Sequence, residues 1–388
     1  MIHLHQPQVG QEELGAVAEV FDSKWLGHGP RTQAFEAAFA AHLDVDPAHV
    51  IFLNSGTAGL FLAVESLDLE EGDEVVLPSL SFVAAANAIT ACGGRPVFCD
   101  VDPRTLNPTT EHIEHAVTER TKAVLILHYG GHPGDIVRIA ELCQRRGLTL
   151  IEDAACSVAS TVEGKAVGTY GDFALWSFDA MKVMVCGDGG MLYARDADAA
   201  ARARRLAYHG LTQPTGFGHA QVSSRWWELD IPEVGRRVIG NDLTAAIATV
   251  QLRRLPELVA RRREITQLYD RELAGIPDLL TPPPLPDGHT STYYFYWVQM
   301  PPGVRDDVAN DLRAAGIYTT FRYAPLHKVP TYGAPDDLTL PGSDHAADRT
   351  LCLPLHPGLD DEDVHTVATA LHKAIEARRT DAVPGSVG

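Results

Sequence analysis

The chain is poor in the signatures of several large protein classes. Its six cysteines are scattered over 388 residues and never form a CxxC pair. That is the pattern of reduced thiols rather than of a disulfide framework or a thiolate metal site. No apolar stretch approaches the roughly 20 residues that cross a bilayer. The first residues, Met1-Ile2-His3-Leu4-His5-Gln6-Pro7, have neither the basic nor the apolar region of a signal peptide, so a cytoplasmic location is expected. Basic residues are outnumbered, 32 Lys+Arg against 51 Asp+Glu for a net charge of −19. This balance excludes the basic face by which nucleic acid is bound without regard to sequence. A small phosphorylated ligand needs only a few local cations and backbone N–H groups. Neither GxGxxG nor GxxxxGK[ST] occurs, which argues against a dinucleotide fold and a P-loop.

What is present is a regular alternation of short apolar runs and helical patterns. The runs at 50–53, 74–77, 96–99, 123–127 and 148–151 read as buried strands, with helices expected over 58–67, 82–92, 110–117 and 135–146. Strands alternating with helices at this spacing predict an α/β fold, a mostly parallel sheet covered by helices on both faces. Two more strands, 174–178 and 190–193, are expected to close the sheet with one antiparallel edge. Residues 241–273 read as a long helix broken or kinked near Pro256, and 293–300 as an aromatic strand. Helices follow at 304–315 and 360–377. The length exceeds the roughly 250–300 residues at which one core stops growing, so two domains are expected. We read 1–255 as a large cofactor-binding domain, whose N-terminal segment joins the small domain or an interface. Residues 256–378 form a smaller C-terminal α/β domain, and 379–388 a flexible tail.

Three local patterns carry chemistry. Asn54-Ser55-Gly56-Thr57-Ala58-Gly59 follows a strand and opens a helix, where small residues let N–H groups and hydroxyls converge on an anion. Ile151-Glu152-Asp153-Ala154-Ala155 puts a carboxylate at the carboxyl end of a strand, the edge where ligands of open α/β sheets collect. Trp176-Ser177-Phe178-Asp179-Ala180-Met181-Lys182 ends a strand in a lysine, with Gly187-Asp188-Gly189-Gly190 beyond it. Burial lowers the pKa of such a lysine and makes its amine a nucleophile or base. Singly, these read equally well as an N-cap, a capping aspartate and a surface lysine beside a hairpin. Together they supply the phosphate anchor, pyridinium partner and Schiff-base amine that pyridoxal 5′-phosphate (PLP) requires. Phe82, after the next strand, is available to cover the ring or to pack in the core.

With these motifs in order, the chain resembles the DegT/StrS-type sugar aminotransferases of PLP fold type I, in the aspartate aminotransferase superfamily. The resemblance runs from Trp25-Leu26-Gly27-His28-Gly29-Pro30 to Leu353-Pro354-Leu355-His356-Pro357-Gly358-Leu359, through Gly240-Asn241-Asp242-Leu243 and Pro325-Leu326-His327. It implies that Lys182 carries PLP as a Schiff base, Asp153 pairs with the ring nitrogen and Phe82 packs on the ring. It further implies that Gly56, Thr57 and Ser177 hold the phosphate, that Asn241 reaches it from a second subunit, and hence a homodimer with shared sites. Cys156 stands where the family often has Gln or His near the phenolic oxygen.

The implied reaction moves an amino group from an amino acid, glutamate above all, to a nucleotide-linked keto-deoxy sugar by way of pyridoxamine phosphate, as in antibiotic deoxyamino sugar biosynthesis. A TDP-linked 4-keto-6-deoxyhexose aminated at C4 rather than C3 is favoured, on Ala180 alone. Arg225, Arg322 and Lys328 are candidates for the diphosphate, Trp226 and Trp227 for stacking, and His327 for a substrate contact. A cyclitol or aminoshikimate-type aminotransferase shares these motifs, and a non-catalytic PLP-binding regulator would keep the fold but lose a chemical residue. Lys182 argues against the dehydratase subgroup, which has histidine there.

Overall fold

The computed structural model describes residues 1–212, 225 and 227–381. In chain order the strands are β1 (Val50–Leu53), β2 (Glu74–Pro78), β3 (Arg95–Cys99), β4 (Thr121–Leu127), β5 (Thr149–Asp153), β6 (Thr161–Val162), β7 (Lys165–Ala166), β8 (Phe173–Ser177), β9 (Gly190–Ala194), β10 (His289–Thr290), β11 (Tyr296–Gln299) and β12 (Thr350–Leu353). Seven of them form one sheet in the order β1-β9-β8-β5-β4-β2-β3. β1, β9 and most of β2, β4, β5 and β8 are buried, as continuous Val/Ile/Leu runs require when helices cover both faces.

Only β9 runs against the others, pairing antiparallel with both β8 and β1. The antiparallel strand is therefore interior, and β1 closes the edge, a correction of the expected arrangement. The physical reason is that β1 reaches β9 rather than β2: Leu53 pairs with Gly190, whose missing side chain admits the turn after β1. As a result β1, β2, β4, β5 and β8 all end at the same edge of the sheet, and β9 begins there.

The helix Asp242–Glu272 is continuous through Pro256, so the expected break is absent. Proline removes one N–H but fixes a helical φ, and buried neighbours Leu255 and Leu258 hold the turn against the core. The 255/256 division falls inside this helix, which carries the chain from the seven-stranded sheet to a second apolar cluster. There β11 pairs antiparallel with β12, and the helices Arg305–Ala314 and Asp361–Asp381 pack on each other beside them. The final helix thus extends past 379, and 382–388 lie outside the described residues. The aromatic segment becomes a strand only at Tyr296, because Tyr293 adopts a left-handed φ of 52° and turns the chain.

The N-terminal segment is strapped to this second cluster. Ile2 N–H donates to Gly316 O at 2.8 Å, Tyr318 N–H to Ile2 O at 3.0 Å and Leu355 N–H to Leu4 O at 3.1 Å. Its His5 and the nearby His356 are buried. Burial, with Arg262 beside it, pushes His356 down to about 4 from the ordinary 6.5, and burial alone does the same to His132. A histidine held neutral takes its proton in the unfolded chain first. Stability is therefore full above pH 6.5 and falls as pH drops from 6.5 towards about 4. For His356 the loss is on the order of 3 kcal/mol. Urea midpoints measured across that window should decline, and the decline should shrink in His356→Gln.

Candidate active site

The common strand edge opens into a cavity of about 240 Å³ lined by Gly56, Phe82, Asp153, Ser177 and Lys182, with Tyr294, Arg322 and Tyr323 from the connections before β11 and β12. Each sheet residue arrives by the same logic. Gly56 and Thr57 open the helix Gly56–Glu65 after β1, Phe82 precedes the helix Val83–Ala91 after β2, and Asp153 and Ser177 end β5 and β8. The helix Gly56–Glu65 is capped by Ser55, whose Oγ accepts from Ala58 N–H at 3.1 Å. The amides of Gly56 and Thr57 have no acceptor within the helix, and both residues line the cavity together with Ser177.

Two glycines make this convergence close. A Cβ on Gly56 would lie 2.8 Å from Ser177 Cβ, and one on Gly190 would lie 2.5 Å from Gly56 N. Helix amides and a hydroxyl packed this tightly form an anion cradle. Asp153 is buried, and its Oδ1 accepts from Ala155 N–H at 3.1 Å. Burial raises its pKa above the ordinary carboxylate value, against the pull of the Ala155 amide, Lys182 and His128. A cationic ring nitrogen is the partner that would keep this carboxylate ionised. Cradle, buried carboxylate and lysine in one cavity fit PLP. Among the described residues no group of His, Cys, Asp or Glu is arranged to hold a metal.

Lys182 follows a turn in which its N–H donates to Asp179 O at 2.9 Å. Its Nζ lies 3.9 Å from Cys156 Sγ and 4.7 Å from the centroid of the Tyr294 ring. Burial pulls its pKa down, but Cys156, Tyr294 and Asp153 outweigh burial and raise it. The lowered value expected from burial alone is thus reversed, because the buried amine faces groups that favour its charge. Cys156 is itself buried, and burial raises its thiol.

Phe82 belongs to the cavity rather than the core: it is 45% exposed and tilts against Tyr323 at 5.8 Å. Asn241 lies outside its own chain's cavity and caps the helix Asp242–Glu272, its Oδ1 accepting from Thr244 N–H at 3.1 Å. Arg322 lines the cavity. His327 does not: Ser79 Oγ lies 2.6 Å from its Nδ1 and Asp344 is 3.8 Å from its Nε2, so it is a satisfied structural histidine. Lys328 pairs with Asp344, and Arg225 pairs with Glu228 on the exposed surface. Neither lines this cavity, since local carboxylates hold both at the surface. Trp227 is exposed, and Trp226 lies outside the described residues. Tyr294 and Tyr323 escaped the sequence reading. Tyr294 was hidden in an aromatic run, and Tyr323 had as its only signal its place beside Arg322.

Gly190→Ala should drive a methyl into the Gly56 amide. Overpacking of about 1–3 kcal/mol at the cradle predicts that PLP affinity, titrated by cofactor absorbance, falls on the order of tenfold while the fold persists.

The sequence profile of the DegT/DnrJ/EryC1/StrS aminotransferase family matches residues 7–372. Over 376 residues the chain is 62% identical to the dTDP-4-dehydro-2,3,6-trideoxy-D-glucose 4-aminotransferase of Saccharopolyspora spinosa, covering 97% of each chain. It is similar in structure to the aminotransferase TlmJ from Streptoalloteichus hindustanus, with a TM-score of 0.93 at 56% identity over 98% of this chain and 100% of that one. It also resembles Spr1654 from Streptococcus pneumoniae, solved in a PLP form, with a TM-score of 0.88 at 25% identity over 97% of this chain and 99% of that one. The chain belongs to the DegT/DnrJ/EryC1/StrS aminotransferase family.

Proposed function

We propose that the chain uses PLP to transfer an amino group from an α-amino acid, glutamate above all, to the C4 ketone of a dTDP-linked deoxysugar. One observation carries this reading: a single cavity holds Lys182, Asp153 and the Gly56–Thr57–Ser177 cradle. The C4 position and the dTDP-linked acceptor rest on the name of the Saccharopolyspora spinosa relative, which agrees with the preference drawn from Ala180. A non-catalytic regulator is disfavoured because the lysine and the carboxylate are both in place.

When bound, PLP supplies an aldehyde that takes up the amine and a ring that withdraws electrons from the attached carbon. The cradle would hold its phosphate, Asp153 would accept from its ring nitrogen, Phe82 would cover the ring and Lys182 Nζ would anchor its aldehyde. Lys182 Nζ is also the base placed to take the proton from the donor's Cα and, in the second half, to return a proton to the sugar carbon. Base catalysis of this type contributes roughly 10²–10⁴-fold. A homodimer is part of the proposal: Asn241 stands outside its own cavity, as a residue serving a partner's site does.

Protein reconstituted with PLP should show the absorbance of lysine-bound cofactor, and glutamate should convert it to the pyridoxamine form. Lys182→Ala should lose that band, and turnover should fall by about 10²–10⁴-fold from the missing base alone. A wild-type spectrum that ignores every α-amino acid would sink the aminotransferase reading.

Shared sites are tested by mixing subunits. Asn241→Ser keeps a capping oxygen but shortens the reach, so each variant homodimer should be impaired. A mixture of Asn241→Ser and Lys182→Ala should regain activity, because one site of the mixed dimer has both residues. No recovery would mean self-contained subunits.

A further inference from the structure

One phenol of the cavity has no part in holding PLP or in moving the proton on carbon. Tyr294 lines the cavity from the connection before β11 and is itself fully buried. Its ring is fixed by its neighbours. His5, brought in by the N-terminal strap, stacks on it at 5.1 Å with an interplanar angle of 6°. Arg262 donates to Tyr293 O at 3.2 Å and so ties down the turn that delivers the ring. Lys182 Nζ lies over the same ring, 4.7 Å from its centroid. The hydroxyl is buried with no partner in hydrogen-bond geometry, although it is near enough to Lys182 to favour the charged amine. Tyr323, the other phenol lining the cavity, is engaged with Cys156, and Asp153 accepts from Ala155 N–H. A buried hydroxyl left unpaired is costly, so one kept beside the reacting amine is poised for a ligand atom.

We propose, on the aminotransferase reading above, that the Tyr294 hydroxyl is a second proton-transfer group: it hydrogen-bonds the ketone oxygen and carries a proton between that oxygen and the amine nitrogen. Amination of a ketone replaces C=O by C=N and releases water. Both carbon–oxygen bonds break, the nitrogen takes the carbon, and the oxygen leaves with the two protons of the amine. Nitrogen and oxygen share one carbon during the exchange, and a proton passing directly between them would strain a four-membered ring. A neutral phenol spans the two, because it donates through its hydrogen and accepts through its oxygen. It gives its proton to oxygen, regains one from nitrogen and ends unchanged. Tyr294 keeps its proton for this role, since burial raises its pKa against the pull of Lys182, Arg322 and Arg262. Cys156 Sγ also lies beside Lys182 Nζ, but a thiol is a weak donor and a weak acceptor. The carbon whose proton Lys182 moves is the carbon that bears oxygen in the ketone. A hydroxyl beside Lys182 therefore stands beside that oxygen in both halves, when the sugar ketone loses it and when the 2-oxo acid gains it from water.

The test separates the proton on carbon from the oxygen. PLP-loaded wild type and Tyr294→Phe, which keeps the ring and its stack, are given L-glutamate in D2O. Exchange of the glutamate Cα proton is followed by NMR, and formation of 2-oxoglutarate is measured in parallel. Exchange needs only the base at Lys182, whereas release of the 2-oxo acid also needs oxygen delivered to the carbon. In Tyr294→Phe exchange should stay within about twofold of wild type while 2-oxoglutarate formation falls about a hundredfold, the lower end of what a positioned acid or base contributes. Enzyme loaded with pyridoxamine phosphate and given 2-oxoglutarate should be slowed alike. The absorbance of lysine-bound PLP should be unchanged in the variant, which reports an intact fold and Lys182 in place. Equal losses of exchange and of 2-oxoglutarate formation would overturn the assignment, because the phenol would then only hold Lys182. So would unchanged 2-oxoglutarate formation, or loss of the PLP band, which would make the hydroxyl a support of the cofactor. If wild type neither exchanges nor converts glutamate, aspartate or alanine, the aminotransferase reading itself fails, an outcome distinct from wild-type turnover that Tyr294→Phe leaves unchanged.

Discussion

The register of β5 decides where the chemistry is. Glu152 and Asp153 are adjacent, so their side chains leave opposite faces of the sheet. Glu152 is fully buried and satisfied by four donors: the amides of Gly168, Tyr170 and Gly171, and His128 Nε2. With Glu152 fastened there, Asp153 has only the other direction, into the cavity. A slip of one residue would exchange the two carboxylates and leave three amides facing the wrong group. Pairing on both sides resists the slip, Asp153 lying opposite Leu127 of β4 and Leu175 of β8. Through β8 the same register sets Ser177, and through β9 it sets Gly190 against the turn that holds Gly56.

A buried lysine facing a buried aspartate is a store of electrostatic tension. Moving either charge out of water costs several kcal/mol, recovered only when an opposite charge is near. In this cavity the neighbours of Lys182 win, and its amine keeps its proton. A protonated amine is no nucleophile. Cys156 and Tyr294, and after them Asp153, are the neighbours that favour the charged amine. Cys156 refines the balance. Its Sγ accepts from Lys182 Nζ at 3.9 Å.

The architecture and the sheet half of the site were legible in the sequence because their causes are local. Apolar runs of four or five residues can be little else than buried strands. Asp153 and Ser177 are strand ends and Ser55-Gly56-Thr57 follow one within four residues, so placing the strands placed the chemistry. What failed depended on distant partners. His327 read equally well as a substrate contact or a satisfied structural histidine, and Ser79, far away in sequence, lies 2.6 Å from its Nδ1. The pKa of Lys182 followed from Cys156 and Tyr294 rather than from burial. Tyr294 joined the cavity because Tyr293 turns the chain and Arg262 holds the turn by its carbonyls. Pro256 advertises a break that tertiary packing overrides.

Two halves of the cavity therefore answer to different constraints. Asp153 and Ser177 are strand ends whose positions move only with the sheet, and Lys182 sits in the connection between β8 and β9. Tyr294, Arg322 and Tyr323 come instead from connections around β11 and β12, steadied by the N-terminal strap and Arg262. An enzyme that must accept first a charged amino acid and then a neutral ketone cannot tune both on immovable strand ends. Discrimination of about 1–3 kcal/mol per contact is enough to choose between such substrates, and connecting segments are where contacts of that size change at least cost to the fold. A catalytic edge fixed by sheet register, facing a wall assembled from loops, lets substrate choice vary while Lys182 and Asp153 stay where they are.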